Sequence, residues 1–566
     1  MRNHLTTLDI LVFMVYLVGV SAYGYYIYQR KRQTEQTTKD YFLAEGSLTW
    51  WAIGASMIAS NISAEQFIGM SGSGFKVGVA VAAYEWVAAI VLIIVAVFFM
   101  PVFLKEKIFT MPQFLEQRYN STLSLIMSIF WLFLYVLVNL TSILYLGALA
   151  LSNLVGGDSF HVIIILLALF ALLISIGGMK VVGYTDVVQV VVLVVGGLVT
   201  TYISLTLVSN KFGLGGGAIS GFNALVSNAG DHFHMIFPKP TAATPQPEID
   251  KYLSLPGIAM YLAGQWIVNL NYWGCNQYIT QRALGADLHT ARTGILFAGI
   301  LKLMMPVIVM LPGIAAYVLY KNGSLQAEMS STGSFNSDNA YSAILTFLPN
   351  GLKGLSMAAL TAAIVASLAG QVNSISTIFT LDIYKRYLNP TATEKKQVWV
   401  GRLTILAAII ISIGLTWKDL LGIGGEGGFQ FIQKYTGFIS PGILAIFLLG
   451  MFWKRTTATA AIVGVLAGFA MSVFFNNYAP TVLGHETLLY TAFPNGHGAY
   501  EIPFLICMGL SFAFTMALMV GISLVGPAIN AKAIELQPGL FRVSRQTMTL
   551  IVITLLLITA LYTKFW

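Results

Sequence analysis

Residues 59–66 read Ala59-Ser60-Asn61-Ile62-Ser63-Ala64-Glu65-Gln66, and Gly69, Gly72 and Gly74 follow. Two hydroxyls, two amides and a carboxyl group thus interrupt an apolar run that extends over 48–74. About 20 helical residues cross a bilayer. Irregular, polar backbone at that depth survives only where it lines a cavity or is buried in protein. A second interruption, Asn269-Leu270-Asn271-Tyr272-Trp273-Gly274-Cys275-Asn276-Gln277, falls in the run 254–282. The two runs stand five apart, second and seventh in order, as an inverted repeat of five helices with a broken first helix in each half predicts. Unwound backbone frees carbonyl oxygens that can coordinate a hard cation such as sodium. The alternative is a pair of kinked structural helices with hydrogen-bonded amides.

The rest of the chain fits that frame. Of 566 residues, 57% are hydrophobic and 10% charged, against about 25% charged in an ordinary soluble domain. So few charges cannot cover a water-soluble surface of this size. The chain reads as an all-α polytopic membrane protein of one domain, 1–566, with about fourteen transmembrane helices. Their approximate limits are 8–28, 48–74, 79–104, 122–152, 161–177, 184–208, 254–282, 292–320, 352–386, 398–416, 436–453, 456–476, 502–526 and 546–565. The first run has full-span length and no small-residue cleavage site after it, so it reads as a span rather than a removable leader. With both termini outside, the cytoplasmic loops hold twenty of the 31 basic residues, among them Lys31, Arg32, Lys105, Arg118, Arg282 and Lys532. That is the side the positive-inside rule assigns them. The net charge of +8 is explained this way, with no nucleic-acid partner. Cys275 and Cys507 are the two cysteines, too few for a disulfide framework or a metal-ligand pattern. The histidines from His161 to His497 fall in loops or near span ends and read as solvated or interfacial. No paired histidines or nucleophile motif point to an enzyme.

Charges inside spans are costly and mark function. Glu65, Glu85, Asp186, Lys302 and Asp382 are such residues. Asp382, beside Lys385 and Arg386, reads as a helix-end ion pair. Glu85 and Lys302 are tolerable if they face a common cavity, with a polar ligand or with each other. In the ninth span Ala363, Ala366, Ser367, Asn373, Ser374, Ser376 and Thr377 either pack helices closely or offer a hydroxyl to an ion at the break.

These residues resemble a known family. Tyr41-Phe42-Leu43-Ala44 with Trp50-Trp51, Asn61 through Gly74, Tyr84-Glu85-Trp86, Asn139-Leu140-Thr141-Ser142, Gly177-Gly178 with Thr185-Asp186 and Gln189, Tyr272-Trp273-Gly274, Gln281-Arg282, Phe379 through Tyr384, Ile432-Gln433 and Ser440 through Leu444 are similar to the sodium/solute symporter family. The likeness is to its bacterial sodium/galactose (sodium/glucose) cotransporter branch. The resemblance implies a leucine-transporter-like fold, a five-plus-five inverted-repeat core (46–455) with an extra N-terminal helix and loop (1–45) and C-terminal extra helices (456–566).

It also implies sites. A sodium site would use the carbonyls of Ala59, Ile62 and Ala363 with the Ser367 hydroxyl, and Asp186 would serve a second ion site. Where the family usually has a hydroxyl pair, this chain has Ala366-Ser367. Substrate-binding residues would be Asn61, Gln66, Glu85, Asn269, Lys302 and Gln433, which offer amide, carboxylate and ammonium partners to hydroxyls, with Tyr272 stacked on the sugar ring. Met70, Tyr84, Phe429 and Trp273 would form the gates. Ala88 and Asn271 depart from the galactose branch. One acid and one base roughly cancel in this set, and no arginine sits at a span centre, which favours a neutral cargo. The function expected is sodium-coupled symport of a neutral monosaccharide, galactose or glucose, across a bacterial inner membrane. The alternatives are sodium- or proton-coupled transport of another polyol such as inositol, or a membrane sensor that does not transport.

Overall fold

The computed structural model describes residues 5–30, 37–44, 48–155, 159–330, 335–423 and 428–566. Lys31 and Arg32, read above as cytoplasmic, lie outside the described residues. Nearly everything described is helical. The β structure consists of a short antiparallel pair, Phe493–Pro494 with Tyr500–Glu501, and an isolated bridge at Glu486 and Thr491. Ten described helices are long and apolar enough to cross a membrane, and Phe160–Ser175 and Ser440–Phe452 are shorter apolar helices. The expected spans 48–74 and 254–282 are each broken into shorter helices. Trp50–Asn61 is followed by a π-helical turn, Glu65–Met70, and then Ser71–Val77. Gly257–Leu262, Gly264–Gly274 and Gln277–Leu284 divide the second.

The backbone divides into two compact units. The first comprises Met1–Val79, Ser128–Phe233 and Gln277–Phe429. Its centre is the run Leu352–Leu388, of whose apolar window 94% is buried. Small residues allow close crossings around it. A Cβ on Gly54 would stand 2.7 Å from the Gly294 carbonyl oxygen, and a Cβ on Gly294 would stand 2.7 Å from that of Trp50. The N-terminal helix Thr7–Arg30 does more than cover this unit. Its buried Asp9 accepts from Gly351 N–H (2.7 Å) and Gly354 N–H (3.0 Å). A carboxylate there satisfies donors that the start of the Leu352–Ile378 helix leaves without helical acceptors.

One histidine departs from the sequence reading. His232 is 2% exposed, because its ring stacks on Tyr317 with centroids 4.0 Å apart and its Nε2 lies 3.0 Å from the Phe75 carbonyl oxygen. Its backbone fits against Gly78, whose positive φ (71°) and missing Cβ leave room for the His232 carbonyl.

The second unit comprises Ala80–Met127, His234–Asn276 and Gln430–Trp566. Ala458–Asn477 and Phe504–Val525 pack through Gly464, where a Cβ would meet Met519, and through Gly468, where it would meet Thr515. The last helix, Arg545–Phe565, has only 11% of its apolar window buried. An apolar helix that finds so little protein to cover it belongs against lipid.

Candidate functional site

The polar string 59–66 does break its helix. Asn61 ends the helix, and Ile62 turns to extended backbone at φ −83°, ψ 94°. The cause is a local competition of side chain against backbone. Gln66 Oε1 accepts from both Ser63 N–H (3.1 Å) and the Ser63 hydroxyl (3.0 Å). In an unbroken helix Ser63 N–H would donate to the Ala59 carbonyl. Diverted to Gln66, it leaves that carbonyl without its helical partner.

The Leu352–Ile378 helix supplies what faces this break. Ser367 Oγ lies 2.8 Å from the Ser60 carbonyl oxygen and 3.4 Å from that of Ala59. Ala59, Ile62, Ala363 and Ser367 are all fully buried, at 0% exposure. The neighbourhood therefore offers carbonyl and hydroxyl oxygens in a dry setting, the ligand chemistry of a hard cation. Among the described residues no group of three or more His, Cys, Asp and Glu residues could hold a metal ion.

Behind the break lies a buried polar network that the sequence reading did not assemble. Asp186 Oδ2 accepts from Ser56 Oγ at 2.5 Å and stands 3.9 Å from Arg282 Nη2. Arg282 Nε donates to Ser56 Oγ at 2.8 Å, and the guanidinium also bonds Ser60 Oγ and the Tyr278 carbonyl. Tyr278 in turn donates its hydroxyl to the Ser60 carbonyl. Arg282, counted above with cytoplasmic loop charges, is thus corrected to a buried residue, 1% exposed. The physical reason is Asp186, which neutralises a guanidinium that would otherwise seek water. The available signal was the i,i+4 pair Tyr278 and Arg282, on one face of a short helix.

The residues expected to meet substrate divide between the two units. In the first, Lys302 donates to Asn61 Oδ1, and the two are 1% and 8% exposed. Gln66 is engaged by Ser63, and Met70 closes the π turn. Phe429 packs on the same segment, since a Cβ on Gly69 would stand 2.6 Å from Phe429 Cβ. In the second unit, Tyr84 and Glu85 are buried in Ala83–Ile94. Asn269 donates to the Gln265 carbonyl (2.8 Å), and Asn271 to Ser440 Oγ (3.0 Å). Tyr272, half-buried, meets Trp273 edge to face at 5.2 Å. Gln433 is half-buried. The second helix break falls at Cys275 and Asn276, at the end of the quoted polar string rather than in its middle.

Residues 41–468 match the model of the Sodium:solute symporter family. A sodium/glucose cotransporter of Vibrio parahaemolyticus is 44% identical over 100% of this chain and 99% of its own length. A sodium/myo-inositol cotransporter 2 of Mus musculus is 33% identical over 82% of this chain and 69% of its own. Among solved structures, a substrate-bound, outward-open sodium-coupled sialic acid symporter superposes with a TM-score of 0.74. It covers 93% of this chain and 99% of its own at 22% identity, a likeness of fold.

Proposed function

As the chain belongs to the Sodium:solute symporter family, a family of non-enzymatic multi-pass membrane transporters, we propose that it carries a neutral monosaccharide into the cell together with sodium. Galactose or glucose is the cargo that the 44% identity to a sodium/glucose cotransporter favours. A polyol such as inositol is the second reading, favoured by the 33% identity to a sodium/myo-inositol cotransporter. The observation that carries the sodium half is the Ala59 carbonyl, freed by the Ser63–Gln66 bond and facing Ser367. In this reading the carbonyls of Ala59, Ile62 and Ala363 with the Ser367 hydroxyl hold the ion. Lys302 and Glu85 balance each other's charge for a neutral guest, while Asn61, Gln66, Asn269 and Gln433 serve its hydroxyls and Tyr272 its apolar face. Met70, Phe429, Tyr84 and Trp273 act as gates. A second ion at Asp186 would have to displace Arg282, so one sodium per cycle is the stoichiometry proposed. The five-plus-five repeat, a bacterial inner membrane and both termini outside complete the proposal.

Coupling follows from shared backbone. Sodium at the break holds Ala59 to Ile62 in the arrangement that presents Asn61 and Gln66. Each ligand therefore favours the state that binds the other, and the coupling is reciprocal. At 100 mV one sodium charge supplies about 2.3 kcal/mol, enough to concentrate a neutral sugar roughly 50-fold.

The test is uptake of labelled glucose, galactose and myo-inositol into proteoliposomes, with and without sodium. Sodium-dependent sugar uptake is expected, and severely reduced in Ser367→Ala, Tyr272→Ala and Gln433→Ala. Unchanged uptake in Ser367→Ala rejects the ion site. Uptake that follows a pH gradient and ignores sodium rejects the coupling.

A further inference from the structure

Between the helices Ala458–Asn477 and Phe504–Val525 the chain folds a small lobe. Thr487 N–H donates to the Tyr490 carbonyl at 2.9 Å, which closes a hairpin with Leu488 and Leu489 at its tip. The bridge of Glu486 with Thr491 lies just behind that tip. The Tyr490 hydroxyl lies 2.9 Å from the Ala479 carbonyl oxygen and 3.0 Å from that of Gly484. The hairpin is thereby fastened to the short helix Ala479–Leu483. Beneath it Tyr490, Ala492 and Ile502 pack with Phe475, Ala479 and Cys507 in a core of their own.

Two sides of this lobe meet protein. The core closes the inner one. On another, Lys239 donates to Thr491 Oγ1 (3.1 Å), Gln246 donates to the Pro494 carbonyl (2.9 Å), and Phe493 meets Tyr252 edge to face at 5.3 Å. All of these residues belong to the second unit. The side that remains is apolar and bare. Leu488 is fully exposed, Val482 67% and Leu489 64%, with Tyr478 and Leu483 more than half exposed. One such residue needs no explanation, but a cluster held outward by hydrogen bonds marks an interaction surface.

We propose that this face is seated in the interfacial region of the bilayer, where it anchors the lobe to lipid. The preceding helix has 20 residues, or about 30 Å at a rise of about 1.5 Å per residue, which matches the hydrocarbon core. A span of that length leaves Tyr478 at the level of the head groups, where tyrosines anchor helix ends. Val463, Leu466, Ala470 and Asn477 are exposed at helical spacing, the repeat of one helix face. The lipid side of this helix therefore runs to the foot of the lobe, and the bare leucines begin where it ends. The hairpin 484–492 carries one acid, Glu486, and no lysine or arginine, so little charge opposes contact with lipid. None of these residues belongs to the transport set, so the anchor is read independently of uptake.

The experiment uses the full chain at dilute loading in phosphatidylcholine vesicles. Leu488→Cys and His497→Cys are each labelled with the same small fluorescent maleimide. His497 is exposed at the other turn of the loop and serves as the site in water. Cys275 and Cys507 are buried, and the labelled native chain gives their background. The label at 488 is expected to emit further to the blue, to be quenched by lipids with a nitroxide on the upper acyl chain, and to be shielded from aqueous iodide. The label at 497 is expected to show the reverse. Equal iodide quenching at the two sites overturns the proposal. Lipid quenching as strong at 497 as at 488 also overturns it, since the label then reports its own affinity for lipid. Shielding of 488 from both quenchers, with energy transfer between labelled copies, overturns it in favour of a second copy of this chain.

Discussion

Arg282 and Arg118 have the same side chain and the same 1% exposure, yet their surroundings are of opposite kinds. Arg282 has a countercharge built in, Asp186, with Ser56 and Ser60 completing its bonds. Arg118 has two backbone carbonyls and the face of the Tyr119 ring, and no carboxylate bonded to it. Burial alone therefore does not say what a charge is for. A neutralised pair holds neighbouring backbone in register, here that of Ser60 beside the candidate ion site.

That contrast can be broken by mutation. The largest effect is expected from Arg282→Gln, which strands the Asp186 carboxylate in the interior. Losing one partner of a buried pair costs about 3–5 kcal/mol, and thermal unfolding together with sodium-driven uptake should show it. Combining Arg282→Gln with Asp186→Asn should recover much of that stability, since no unpaired charge remains. If the double variant is as unstable as the single one, the pair is not what stabilises the network. Next comes Gly370→Ala. The new Cβ would collide with Arg282 Nη2 and stand 2.7 Å from the Tyr278 ring. Overpacking of this kind costs about 1–3 kcal/mol. Gly414, with nothing within 4 Å of its Cβ position, is the matched control, and equal losses from the two alanines would dismiss the contact.

Arg118→Gln should cost less than Arg282→Gln, about 1–2 kcal/mol for two weakened hydrogen bonds, because it leaves no countercharge behind. A loss as large as that of Arg282→Gln in denaturant unfolding would erase the distinction. The smallest effect is expected at an exposed carboxylate outside both networks. Asp287 caps the helix Leu288–Val309, accepting from His289 N–H (3.0 Å) and Thr290 N–H (3.1 Å). The hydrogen bonds from Thr290 hold its carboxyl below the usual carboxylate range. Because the folded value is lowered, its stabilisation is present above the ordinary pKa of about 3.9 and is lost as pH falls through the depressed value. Asp287→Ala should be less stable by about 1 kcal/mol near neutral pH in denaturant unfolding and converge with the native chain in acid. A gap that persists at low pH would refute the capping role.

The first helix break was legible because its determinants are close in sequence. Ser63 and Gln66 are three residues apart, and their bond is what opens the helix. The second break was legible as a polar string but not in its location, since the backbone turns at Cys275 and Asn276, after the string. Arg282 and Arg118 were both counted as loop charges, because the positive-inside rule weighs basic residues by side and says nothing of their partners. His232 was misread for the same reason, its burial resting on Tyr317 and Phe75. Asp9 gave no sign that it would cap a helix beginning more than three hundred residues later.

By itself the sequence determined the membrane class, the helical runs and the place of the first break. These follow from hydropathy and from hydrogen bonds between near neighbours, which the chain order contains. Tertiary structure alone decided which buried charges are satisfied. Asp186 meets Ser56 across 130 residues, and Arg282 meets Ser56 across 226. An ion in a low-dielectric interior is stabilised only by groups within a few ångströms, and that proximity arises when distant helices pack.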